Sequence, residues 1–127
     1  MSLTTGKGAV PESAVSRYLP VPPRDYLILF AVAGKARHGH AILKAIEDES
    51  DGVPFDPANL YRSLQKLERN GLLAEVDDGA PAAGPPRRCY ALTRLGRAVL
   101  GAEARRLTRL AELARARRLV GPAGGTR

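Results

Sequence analysis

Cysteine occurs once, as Cys89, so no disulfide can form within the chain, and the composition suits a reducing compartment. No apolar run is long enough to span a bilayer. The N-terminus lacks the basic-then-apolar order of a secretory signal. A cytoplasmic location without membrane contact is therefore expected. Catalytic signatures are missing as well: there is no glycine-rich phosphate loop, no nucleophile elbow and no HExxH. Glu47, Asp48 and Glu49 read as a solvated helix face rather than an acid–base site. The soft metal ligands reduce to His38, His40 and Cys89, and two histidines at i, i+2 diverge on a helix. No enzyme, metal or cofactor is expected, and Cys89, beside Tyr90 on a strand, is expected in the core.

What is present is an ordinary globular composition, 44% hydrophobic and 26% charged over 127 residues. That length suits one domain with a modest core and room for one extra helix. The net charge is +7 and the sequence pI near 10.2, a balance that suggests nucleic acid. Its location qualifies that reading. From Arg94 to Arg127 nine arginines face only Glu103 and Glu112, which accounts for the whole excess.

The most informative stretch is DPANLYRSLQKLERNGLL, from Asp56 to Leu73. Asp56 suits an N-cap, and Pro57 suits the first helical position, where its missing N–H is not needed. Leu60, Leu64 and Leu67 draw one apolar stripe, and Gly71 supplies the stop. Off the stripe stand Asn59, Tyr61, Arg62, Ser63, Gln65, Lys66 and Arg69, which can donate to phosphates or reach base edges. This is the pattern of a recognition helix.

The rest reads as its support. Residues 1–21 hold Gly, Ser, Thr and Pro without a sustained period and are expected to form a flexible arm. A first helix begins at Arg24 or Asp25 and turns Leu27, Phe30 and Ala31 inward, with Ile28 alongside, before Gly34 closes it. A basic turn, Lys35–Arg37, leads to a second helix from about Gly39 to Glu49, with Ile42, Leu43 and Ile46 inward. Ser50–Gly52 is turn chemistry, and Val53–Phe55 is extended. Beyond the recognition helix, Leu73–Val76 and Arg87–Leu92 make two strands around a proline-rich tip, a β-hairpin wing. Thr93 then caps a long helix running to about Val120, with Gly96 and Gly101 as weak points. Leu100, Ala104, Leu107, Ala111 and Ala114 form a coiled-coil-like seam on it, widened by Leu110 and Leu113. So long a stripe exceeds what the compact part can cover, and a second subunit is the expected cover. The expected architecture is mainly α with a small β-hairpin: a winged helix-turn-helix domain over 22–92, a dimerisation helix over 93–120 and a frayed tail over 121–127.

Helix, helix, recognition helix, hairpin and long helix is also an order with a familiar set of motifs. YLILFAV at 26–32, HGHAILKAIE at 38–47, NLYRSLQKLERNGLL at 59–73 and GPPRRCYALTRLGRAVL at 84–100 together resemble the PadR-like transcriptional regulators, in particular those with a single C-terminal helix. The resemblance implies a cytoplasmic homodimer that binds operator DNA, usually as a repressor, and that a small molecule can release. His40 stands where that family usually has a tyrosine. The chain has no tryptophan, so ligand binding between stacked tryptophans cannot operate here. The wing tip is also long. These departures bear on the ligand rather than on DNA.

Tyr61 and Arg62 are the leading candidates for DNA contact, followed by Asn59, Ser63, Gln65 and Lys66; Arg69 can serve the helix dipole instead. Arg87 and Arg88 sit at the wing base on opposite strand faces, so one of the two is expected to reach DNA. Lys35 and Arg37 are candidates for the flanking backbone. Arg105, Arg106, Arg109, Arg115, Arg117 and Arg118 are read as flanking and solubilising the dimer seam. Two other readings remain open: a winged-helix module that binds protein and no operator, and a basic protein that coats DNA without preference, which a steep salt slope would betray.

Overall fold

Proline and glycine punctuate the fold. The computed structural model describes residues 9–49, 55–77 and 88–121. Its elements are α1 (Glu12–Ser16), α2 (Pro23–Ala31), β1 (Arg37–His38), α3 (Gly39–Glu49), α4 (Pro57–Arg69), β2 (Leu73–Val76), β3 (Cys89–Leu92) and α5 (Arg94–Ala116). Pro23 and Pro57 open their helices, where a fixed φ helps and no N–H is wanted. Gly71 ends α4 at φ 80°, a left-handed conformation that costs glycine nothing. The fold is a winged helix, mainly helical, and among the described residues no helix is long and apolar enough to cross a membrane.

Each helix sends its apolar stripe to one core. Ile28 and Leu29 enter from α2, Ile42 and Ile46 from α3, and Leu60, Leu64 and Leu67 from α4, all essentially without solvent contact. Leu72, Leu73, Tyr90, Val99 and Leu100 close it from the sheet side and α5. At roughly 1.5–3 kcal/mol for each fully buried large apolar side chain, this cluster is the main stabilising term.

Four sequence expectations change. The expected inward face of α2 was rotated: Leu29 is buried and Phe30 is 47% exposed, stacked on Tyr26. Seven consecutive apolar residues, Tyr26 to Val32, give the period nothing to choose between. The Lys35–Arg37 turn passes into a strand, because Arg37 and His38 pair with Tyr90 and Cys89; the sheet therefore has three strands in the order β1-β3-β2. Asp56 sits at the N-cap of α4 but makes no side-chain cap bond. Finally, the described part of residues 1–21 is not a loose arm. Val15 and Val21 are in the core, and α1 packs on α5.

At the other end of α4, three segments are stitched together. The Thr93 hydroxyl accepts the Gly96 N–H at 2.9 Å, which caps α5 as expected, and donates to the Gly71 carbonyl at 2.5 Å. The Thr93 N–H reaches the Leu72 carbonyl at 3.2 Å. Gly96 is consequently pressed against that carbonyl: a Cβ there would lie 2.0 Å from the Leu72 oxygen. The exit of α4 and the start of α5 are thus fastened to each other through Thr93 and Gly96. Ser50–Pro54, the wing tip and the last six residues lie outside the described residues.

Candidate nucleic-acid interface

With Leu60, Leu64 and Leu67 turned inward, helical geometry forces Tyr61, Arg62 and Gln65 to the opposite side, and all three are exposed. Asn59 and Ser63 are half-buried at its margin. The Arg62 guanidinium donates to the Asn59 side-chain oxygen one turn back, so the two share the exposed face. Tyr61, 52% exposed, lays its ring against Gly39. A Cβ on Gly39 would come within 3.1 Å of the ring and 3.2 Å of the hydroxyl, so α3 begins with the one residue that leaves Tyr61 room. Its hydroxyl therefore stands beside the first turn of α3, whose dipole favours anions.

Lys66 is placed differently from its neighbours. Its ammonium bonds the Asp25 carboxylate on α2 at 2.6 Å, and Asp25 is buried. The wing base is also internally engaged. Arg88 is exposed and lies 3.6 Å from the Glu75 carboxylate. The Tyr90 hydroxyl and the Glu75 charge keep its guanidinium protonated more firmly than usual. Burial, and then Glu75 beside it, raises the Glu68 carboxyl above the ordinary range. Burial likewise raises the Tyr90 phenol. Arg88 is therefore paired across to β2 through Glu75. Arg87 lies outside the described residues. Arg37 donates from Nε to the Ala31 carbonyl at 2.6 Å, satisfying the end of α2.

The candidate dimer residues divide as well. Leu100 is buried in the chain's own core and is withdrawn from the seam. Ala104, Ala111 and Ala114 are half-buried, while Leu107, Leu110 and Leu113 are 38%, 47% and 47% exposed. Glu103, read from sequence only as one of two acids among nine arginines, is buried. Arg106 grips it through two bonds of 2.8 and 2.6 Å. Asp25, Gly39 and Glu103 were not legible as functional supports, because each acts through a partner far away or in another element. Among the described residues no group of three or more His, Cys, Asp or Glu is placed to hold a metal ion.

The helices and three-stranded sheet match known proteins. The model of the transcriptional regulator PadR-like family covers residues 28–102, well over half the chain. The chain belongs to the PadR-like family. It is thus a DNA-binding transcriptional regulator. Similar solved structures include a PadR family transcription regulator from Clostridium difficile R20291, at 20% identity and TM-score 0.64, covering 72% of this chain and 94% of that one. A PadR-like transcription factor from Bacteroides fragilis shares 22% identity at TM-score 0.64, with 74% and 88% covered. A PadR family transcriptional regulator from Eggerthella lenta shares 26% identity at TM-score 0.57, with 84% and 94% covered. No curated protein matches the chain. The PadR match begins inside α2 and ends at Ala102, leaving α1 and the outer half of α5 beyond it.

Proposed function

We propose that this PadR-like regulator is a homodimeric repressor that reads an inverted-repeat operator. The observation that carries the reading is the outer half of α5. Glu103 is the last buried residue on that helix, and Leu107, Leu110 and Leu113 follow at three-residue spacing without cover. A second copy offers the same stripe, and two such stripes bury each other around a twofold axis. Each recognition helix then enters a major groove, with half-sites about 34 Å apart, one turn of the duplex. Since α5 sets that separation, a small molecule seated between the subunits can alter it and release the DNA. Induction of this kind rests on family membership and on the place of α5 as spacer.

The test combines sedimentation with protection of DNA fragments selected from the genome by the full chain. A dimer protecting two half-sites one helical turn apart is the expected result. A monomer at micromolar concentration, or protection without a preferred site, would overturn the proposal.

A further inference from the structure

Lys66 follows Arg62 by one helical turn and lies about 40° round the helix from it, near enough to serve the same phosphates. Its ammonium bonds the Asp25 carboxylate instead. The Asp25 side chain is only 6% exposed, that of Lys66 is 45% exposed, and 2.6 Å separates the charges. Moving the ammonium to a phosphate would strand a buried carboxylate without its cation, so the pair is expected to persist on DNA. We infer that Asp25 is a specificity-determining residue: by holding Lys66 it removes one phosphate contact from the reading helix and leaves discrimination to Tyr61, Arg62 and Gln65.

Such a subtraction matters in a chain of net charge +7. Phosphate contacts strengthen binding to every duplex alike, whereas contacts to base edges separate one sequence from another. The same pair also fixes the roll of α4 against α2, because each partner is anchored on a helix packed into the core. Asp25 touches no DNA in this scheme and acts only through Lys66. The inference rests on the assignment of α4 as the reading helix.

Salt dependence counts phosphate contacts directly. Binding of the full chain to a random-sequence duplex, followed over a range of salt, is compared for wild type, Asp25→Asn, Lys66→Gln and the double variant. Wild type and Lys66→Gln are expected to share one slope. Asp25→Asn should steepen it by about 0.9 in log–log terms, one contact's worth. It should also bind the random duplex several-fold more tightly at low salt. The double variant, with the wild-type net charge, should revert. A shallower slope for Lys66→Gln alone would mean that Lys66 already sits on a phosphate and would overturn the inference. So would an unchanged slope for Asp25→Asn, or a gain that survives in the double variant. A purely architectural Asp25 would weaken binding without steepening the slope. If either single variant melts below assay temperature, the double variant, which removes the pair whole, decides against wild type: equal slopes are expected, and a shallower slope would place Lys66 on a phosphate and overturn the inference. Failure of the wild type to bind any duplex would remove the DNA reading as well, an outcome distinct from the others.

Discussion

Single residues show where a sequence reading is blind. Gly96 and Gly101 look alike in sequence, two weak points in one helix, but only Gly96 has the Leu72 carbonyl where a side chain would go. Gly101 meets nothing nearer than the Arg105 guanidinium at 3.4 Å, the mobile end of a long side chain. Gly96→Ala should therefore cost about 3 kcal/mol through forced separation of α5 from the β2 entry. Gly101→Ala should gain about 0.5–1 kcal/mol from helix propensity. Urea midpoints of the two variants check this, and equal shifts would count against the close approach. Asp25 is a similar case. In sequence it is an acid in a first turn; only the fold brings it to Lys66, 41 residues on. Tyr61 and Arg62 were legible because the leucine stripe alone dictates which way they point. Their weight in binding is separable from bulk charge. Arg62→Ala should lower affinity for a selected operator by about 10- to 100-fold, the worth of one good base or phosphate contact. Arg117→Ala, beyond the end of α5, should change it less than threefold. Equal effects in a mobility-shift titration would favour charge-driven coating of DNA.

Elements with a clean period were readable, and elements defined by pairing were not. The stripe of α4, the glycine after it, the Thr93 cap and the stretch from Gly39 to Glu49 all follow from local rules. The two-residue strand β1 has no period, and exists because Tyr90 and Cys89 present an edge to it. The segment holding α1 has too little pattern to announce a packed element. Its valines and the backbone of Val21 fasten it to α5, with the Val21 N–H donating to Glu103. Hydrogen bonds from Arg106, opposed by burial and aided by Val21, hold the Glu103 carboxyl below the ordinary value near 4.5. A carboxylate depressed in this way contributes stability that is complete above its ordinary value. The contribution is lost as pH falls through the lowered one. Glu103→Gln should accordingly lower Tm by about 5 °C at pH 7. That deficit should shrink as pH drops below about 4.5, where the wild type loses the same interaction. A deficit that stays constant with pH in thermal melts would assign Glu103 a packing role only.

At the scale of the whole molecule the question is what the outer half of α5 is for. From Ala104 to Ala116 that helix extends about 20 Å without a buried residue, a length that packing on its own domain cannot explain. Arginines flank the leucines on it, which keeps the stripe soluble while leaving its centre apolar. The helix that carries the stripe begins against the exit of α4, through the Thr93, Leu72 and Gly96 contacts. Leu110→Glu places a charge at the middle of the stripe while leaving the core untouched, since Leu110 is not among the buried residues. The variant should keep its Tm within a few degrees when measured as a monomer and should sediment as one. Its affinity for the full operator should fall by at least about 100-fold, because the second half-site no longer gains the effective concentration that linkage confers. Binding to a single half-site should remain near the wild-type value. Full operator affinity in a monomeric Leu110→Glu would show that one subunit is enough, and would leave the long helix needing another occupant.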